Sequence, residues 1–527
     1  MNYSSGIEMH AEPLNKSQKL IQSKSTPELY RSNKRKSFHK LNSLHSDLNE
    51  EPLFSQVFYT QNDSDTSCVT LVLTKNFLLV KDGFFTTKID LSDIIGASIE
   101  EPSSPIMPPD HAVGDTISPN IFALKVHMFS KPLEQNVTSL KTPRKELDST
   151  YYTNDTLIAT AWMRLILHAA NNPNFQDLLR NYTDPLDFPP FQKTYLIIIN
   201  PKCGEKKGDE VWQSSKKFLL KAGCSFLEMY SEYTGHIKEF ILNLELSKIK
   251  EFDGILVVGG DGTCHELINS IMRRPDWTEI KDIPIGILPA GGNNGVLASL
   301  IYKSKEVFDA NHACYLIAKG QTTKSDITLI ERENGQPVYC INSLLWGTLP
   351  HSDFSSEKYK FLGNHRFDLY GTLALIWNKK YQATVTISSS STNLPLLDDP
   401  IDSPQWETIQ DEFTYFGIYN LACSTFETTV APFADFQDGY NHWLALKGKA
   451  CTRANLMKVW MEADQSLFDD GKPKEKIGVT YKKIKSFRIE PKGSTDKSCY
   501  SIDGEKYDGG KIQGQVLDKL FTFFSNQ

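Results

Sequence analysis

The chain of 527 residues has no apolar run approaching the roughly 20 residues that span a bilayer, and its first residues lack a signal-peptide core. No CxxC pair or metal-ligand spacing appears among its nine cysteines, which excludes a disulfide scaffold or a structural zinc site and points to free thiols in a reducing compartment. There is no basic excess. A formal charge of -7 gives no support to bulk nucleic-acid binding. These absences lead us to expect a cytoplasmic protein, peripheral at membranes if it meets them.

What is present is an ordinary globular composition, 40% hydrophobic and 23% charged, with room for about three domains. Residues 1–52 are rich in Ser, Asn, Lys and Glu and are expected to be disordered. The cluster Arg31, Lys34, Arg35, Lys36 beside Ser37 is either solvated tail or a membrane-surface or phosphorylation element. Residues 55–172 carry alternating runs at Val57–Thr60, Ser67–Leu73, Phe77–Val80, Phe84–Leu91 and Phe122–Phe129. A helical stretch, Thr156–Ala170, follows them and contains Trp162. Short strands closed by one amphipathic helix predict a pleckstrin-homology-like (PH-like) β-barrel domain. A β-domain without a ligand reads equally well, since its first loop has no basic cluster.

The densest signal lies at Gly254–Trp277, GILVVGGDGTCHELINSIMRRPDW. An apolar strand stops at Gly259 and Gly260, and Asp261, Gly262 and Thr263 follow. Leu267, Ile268, Ile271 and Met272 then recur at helical spacing. The layout places Asp261 in a strand-to-helix turn and Thr263 at a helix N-cap. Glycines admit an anion close to the backbone, and a helix N-terminus offers unpaired N–H groups. A tight βα turn with Asp as its cap would look the same in isolation.

Two neighbours repeat the logic. Thr194–Gly208, TYLIIINPKCGEKKG, runs from a strand into Asn200, Pro201, Lys202 and Gly204. Ile283–Ser299, IPIGILPAGGNNGVLAS, runs from a strand into Gly291, Gly292, Asn293 and Asn294. Three such units predict an α/β nucleotide lobe over 192–320, with its loops gathered at the carboxyl edge of a parallel sheet. Beyond 320 the pattern turns to strands, Pro337–Leu345 and Gly478–Ile489 among them, predicting an antiparallel β-sandwich lobe over 321–527 with the site between lobes. The acidic, proline-bearing stretch Ser389–Asp411 reads as a surface insertion.

The loop LPAGGNN resembles that of the diacylglycerol-kinase-type lipid kinases. CINSLLWGTLPHSDFSSEKYKFLGNHRF (Cys340–Phe367) closely resembles the sphingosine kinase pattern, as do FRIEPKG, YSIDGE and QGQV further on. The resemblance spans about 192–527. It implies transfer of the ATP γ-phosphate, with Mg2+, to a sphingoid long-chain base at a membrane surface. Ceramide kinase, diacylglycerol kinase and a weakly catalytic lipid-binding scaffold remain alternatives.

Carried over residue by residue, the resemblance makes Asp261 the group that takes or orients the acceptor hydroxyl proton. It assigns ATP contacts to Asn200, Lys202, Gly204, Ser231, Gly259, Gly260, Gly262, Thr263, Gly291, Gly292, Asn294, Lys360, Arg366, Asp503, Gly504 and Glu505. Asp353 would read the substrate ammonium, supported by Ser343, and Glu266 would serve as a helix-face hydrogen-bond partner. Metal ligands are not identified. The chain departs from the family at Cys203, Glu205 and Asn293, and Lys360 keeps the charge of the usual Arg without its fork.

Overall fold

The computed structural model describes residues 50–62, 65–83, 85–101, 121–131, 143–204, 206–292, 294–333, 335–348, 350, 378–391, 393–462, 468–469, 472–473, 478–493 and 498–525. Most of the predicted tail and its basic cluster lie outside them, as do Glu205, Asn293, Asp353, Lys360 and Arg366.

The N-terminal unit comprises β1 (Phe54–Asn62), β2 (Asp65–Leu73), β3 (Phe77–Asp82), β4 (Phe85–Asp90), β5 (Ile94–Glu100), β6 (Phe122–Ser130), β7 (Lys145–Thr153) and helix α1 (Thr156–Asn171). The strands form one antiparallel sheet in the order β4-β3-β2-β1-β7-β6-β5. Two of them, β5 and β7, escape the sequence pattern. Strand β7, KELDSTYYT, has an exposed polar first half, and β5 places two adjacent isoleucines in the interior, so neither alternates cleanly. Asp155 caps α1 by accepting from Leu157 N and Ile158 N, and Trp162 inserts edge-on against Phe58 at 5.8 Å.

The central lobe alternates β8 (Lys193–Ile199), α2 (Gly208–Lys221), β9 (Cys224–Tyr230), α3 (His236–Asn243), β10 (Gly254–Gly259), α4 (Asp261–Ile271), β11 (Ile285–Pro289), α5 (Gly295–Ser304) and α6 (Ala310–Lys319). Strands β11, β10, β8 and β9 are parallel neighbours, so the three glycine-bearing turns emerge at one edge, as their pattern predicts. Residues 254–259 are buried throughout, the unbroken apolar run expected of a strand covered on both faces.

The third lobe is built from β12 (Thr322–Arg332), β13 (Val338–Cys340), β14 (Ser343–Gly347), β15 (Tyr381–Ser388), β16 (Glu407–Tyr419), β17 (Asn441–Lys447), helix α7 (Arg453–Glu462), β18 (Phe468–Asp469), β19 (Lys472–Pro473), β20 (Thr480–Ile484), β21 (Ser486–Pro491), β22 (Cys499–Ile502), β23 (Glu505–Asp508) and β24 (Ile512–Phe524). Two expected strands prove to be pairs. Pro337–Leu345 breaks between Cys340 and Ser343, and Gly478–Ile489 breaks at Lys485. The lobe is also not a separate sheet. Strand β24 pairs antiparallel with β12 and β21, and at Phe523 it lies parallel beside Ile285 of β11, which joins both lobes in one hydrogen-bonded path.

The predicted insertion is shorter than expected, because Glu407–Asp411 belongs to β16. Its remainder is pinned down: Arg488 donates to Leu396 O (2.8 Å) and Asp399 O (2.5 Å), and Gln513 donates to Pro395 O (2.9 Å).

The N-terminal sheet is bolted to α2 and α6. Arg144 donates to Asp93 (2.7 Å) and Glu306 (3.0 Å) and lies 4.3 Å over the Tyr315 ring. Lys319, at the end of α6, is buried and donates to the carbonyls of Leu91 (2.8 Å), Ile94 (2.6 Å) and Ala170 (3.2 Å). A Cβ on Gly96 would fall 1.8 Å from Lys221 O, so the sheet meets α2 without a side chain between them. Lys319→Met removes a donor from three carbonyls, of which Leu91 O keeps a bond from Ile94 N (3.3 Å). We expect it to lower stability by about 2–4 kcal/mol, seen as a reduced urea midpoint; an unchanged midpoint would refute the role given to this lysine.

Candidate active site

The three turns meet backbone to backbone. A Cβ on Gly291 would lie 2.4 Å from the Cα of Gly260, and one on Gly204 (φ +52°) would lie 2.5 Å from Ala290 O. Asn200 reaches across the floor, its Nδ2 3.4 Å from Thr263 Oγ1. Thr263 is not the N-cap that its position suggested. Helix α4 starts at Asp261 with Gly260 as cap, and Thr263 lies in the first turn, under Gly259.

Asp261 is held by the next helix rather than by its own. Gly295 N donates to Oδ2 (2.7 Å) and Val296 N to Oδ1 (3.1 Å), so the carboxylate fills the N-terminus of α5. Asn294 makes this possible by taking the left-handed conformation (φ 47°) and donating to Gly291 O (2.7 Å). Gly295 has no room for a side chain either, because Asn342 Nδ2 stands 2.3 Å from where its Cβ would be. A carboxylate has about four lone-pair positions, so two amide bonds leave acceptor capacity for a third partner.

Burial pushes the Asp261 carboxyl up to about 6, against the two amides that pull it down. We therefore expect kcat/KM to fall on acidification through about pH 6, because protonated Asp261 cannot accept a proton; a rate flat from pH 5 to 7 would contradict this. The same shift has an opposite sign in stability. Between pH 3.8 and about 6 the folded chain holds a proton that the unfolded chain releases, so this residue's contribution to stability grows as pH falls.

The turn between β22 and β23 completes the site. Asp503 and Gly504 both have positive φ (52° and 86°), a tight hairpin that sends Glu505 over α4. A Cβ on Gly262 would stand 2.4 Å from Glu505 Oε1, so Glu505 lies against the GGDGT turn. The Asp503 carboxylate is not available to a nucleotide, contrary to the assignment carried over from the motif. It is buried and accepts from Ile341 N (2.9 Å), Asn342 N (2.8 Å), Ser343 N (3.1 Å) and the His265 ring (2.8 Å). Gly504 and Glu505 are the exposed members of that turn. Ser343 is buried at the start of β14, where its carbonyl accepts from Asp503 N (2.8 Å).

Lys202 Nζ donates to Glu232 O (2.8 Å), tying the first loop to the segment after β9, and this bond uses one of its three ammonium donors. Ser231, whose N–H bonds Ile199 O at 2.8 Å, begins that segment and is buried. Gly292 is exposed at the tip of the third loop. Glu266 accepts from Lys238 N at 3.3 Å, as its helix-face role predicts.

Two site residues are invisible to motif reading. Asp261, His265 and Asn269 recur at i, i+4 and i+8 on α4, and each bonds a different element. Asp261 holds α5, His265 holds the β22–β23 turn, and Asn269 exchanges two hydrogen bonds of 2.9 Å with the backbone of Tyr339 in β13. The signal was present as polar residues on one helical face, amid apolar neighbours.

Known proteins are similar to parts of this chain. The diacylglycerol kinase catalytic domain family matches residues 194–330, which hold all three turns. Sphingosine kinase 2 of Arabidopsis thaliana is 28% identical over 361 residues, covering 63% of this chain and 72% of that one. Sphingosine kinase 1 of Homo sapiens is 26% identical, covering 63% and 90%, and sphingoid long chain base kinase 4 of Schizosaccharomyces pombe is 25% identical, covering 63% and 75%. The chain is an ATP-dependent lipid kinase. A crystal structure of a diacylglycerol kinase from Bacillus anthracis covers 64% of this kinase and 98% of its own chain, at 18% identity and a TM-score of 0.42.

Proposed function

We propose that the kinase transfers the γ-phosphate of ATP to the primary hydroxyl of a sphingoid long-chain base. The observation that carries this reading is the block Cys340–Phe367 with its SEKY, LG and RF elements, in a chain whose relatives include sphingosine and long-chain-base kinases. The matched catalytic-domain family concerns the phosphoryl-transfer half and does not separate the lipids.

In this reading Asp261 accepts the acceptor's hydroxyl proton with the lone pairs its two amides leave free, and the glycine backbone of the three turns cradles the phosphates. Magnesium fits the site only in part. No group of three metal-ligating side chains exists among the described residues. The exposed carboxylate of Glu505 has the donor chemistry for a hard cation, so it would hold Mg2+ brought in on the nucleotide. The cation would neutralise charge on the transferred group.

The N-terminal unit is PH-like in this proposal, supported by its seven antiparallel strands, its closing helix and buried Trp162. Because the acceptor resides in bilayers, the protein is assigned to the cytoplasm with peripheral attachment to membranes; no described helix is long and apolar enough to cross one.

The test is phosphorylation of sphingosine, ceramide and diacylglycerol by the purified protein with labelled ATP. Sphingosine is the expected acceptor, and activity on ceramide with none on sphingosine overturns the proposal. Asp353→Asn provides a second check. Sphingosine is protonated near neutral pH, so removing the carboxylate should cost about 1.5–3 kcal/mol, or roughly 10- to 150-fold in kcat/KM, while a neutral acceptor loses much less. Equal loss on both would show that Asp353 does not read the cation.

A further inference from the structure

The His265–Asp503 pair belongs to neither the phosphate cradle nor the acceptor site, yet it is buried and both ring nitrogens and both carboxylate oxygens are bonded. His265 Nδ1 lies 2.8 Å from Asp503 Oδ2, and Nε2 lies 2.7 Å from the Tyr507 hydroxyl. An ionised Asp503 can only accept, so Nδ1 carries the proton. Its neighbours favour that ionised form, and the carboxyl stays below its ordinary value despite burial. Burial pushes the Tyr507 phenol up to about 12, so it keeps its proton in the bond with Nε2. The imidazole is therefore clamped between two residues of one hairpin, one on each side of Glu505.

The consequence is geometric. Asp503, Gly504 and Glu505 form the turn from β22 to β23, and Ile502 pairs with Glu505. His265 is one helical turn beyond Asp261 on α4. The pair thus spans the two lobes: its histidine stands on the helix that begins with Asp261, and its aspartate stands two residues before Glu505. Three backbone amides at 341–343 fix the aspartate from behind, and His265 holds it from the side of α4.

We propose that His265 and Asp503, with Tyr507, are positioning residues that hold the Glu505 carboxylate against the Asp261 turn, where it meets the nucleotide-borne cation. The couple touches neither nucleotide nor lipid. It converts the packing of α4 on the β-lobe into a fixed separation between the two functional carboxylates. The inference rests on phosphoryl transfer at this site, and not on which lipid accepts, so it is tested with whichever acceptor the panel identifies.

The experiment is a double-mutant cycle on the full-length kinase: His265→Gln, Glu505→Gln and the double variant. KM for MgATP and kcat are measured at saturating lipid, and thermal unfolding is followed in parallel. Asn269→Ala, alone and with Glu505→Gln, is the comparator, because it unties the same helix from β13 without touching the hairpin. His265→Gln is expected to lower kcat/KM for MgATP by about 10- to 100-fold, the scale of a small displacement at a reacting centre. In the Glu505→Gln background the further loss should be no more than about 3-fold, since there is no carboxylate left to position. Asn269→Ala should give the same factor in both backgrounds. Equal factors for His265→Gln in both backgrounds overturn the proposal and leave the pair with a role in stability alone. If His265→Gln does not fold, Tyr507→Phe removes one of the two clamps while keeping the ring, and the same cycle with Glu505→Gln decides in the same way.

Discussion

Two stretches of peptide backbone touch at Gly260 and Gly291, and the rest of the active site is arranged around that contact. The parallel strands β10 and β11 deliver their turns to adjacent points, so any side chain there would push the turns apart. Gly204 repeats the constraint against Ala290 O. With side chains excluded, the polar groups left at the surface are amides and the carboxylate between them, which is the lining that a polyphosphate needs. It also places the N-terminus of α5 within reach of Asp261, and so sets the orientation of that carboxylate.

How legible this was in the sequence depends on the kind of residue. The turns were plain because glycine has a specific steric use and an apolar run before it marks a buried strand. Partners were not. Lys202 reads as a phosphate contact, and only the path of the segment after β9 shows that one of its three donors goes to Glu232 O. Asp503 sits in a motif with Glu505, and nothing in its local spacing reveals that 341–343 arrive behind it. His265 and Asn269 share the apolar face of α4, where a reading by hydrophobic period treats polar residues as noise. In the N-terminal unit the strands that alternate were found, whereas β5 and β7 were not, because their neighbours rather than their sequence make them strands.

The N-terminal sheet is a structural shoulder of the catalytic lobe. Its contact with α2 and α6 combines a desolvated Arg144–Glu306 pair, whose loss of one partner would strand a buried charge, with the carbonyl-bound Lys319. Phe129 packs edge-on against Phe218 at 5.3 Å in the same seam. A surface of this kind resists sliding, so forces applied to the sheet are transmitted to α6 and the strands beside it.

Strand β24 carries an implication for how the chain is made. The parallel sheet of the nucleotide lobe is flanked at β11 by a strand that lies beyond the whole β-lobe in sequence, and the Phe524 ring fills the space beside Gly254. During synthesis the three glycine-bearing turns emerge long before that strand does. Until it arrives, β11 presents an unprotected edge, and the central sheet is open to the wrong partner. Nascent chains of this kinase should therefore depend on chaperones through most of translation, and fragments ending before β24 should be taken for degradation rather than persist as half-enzymes.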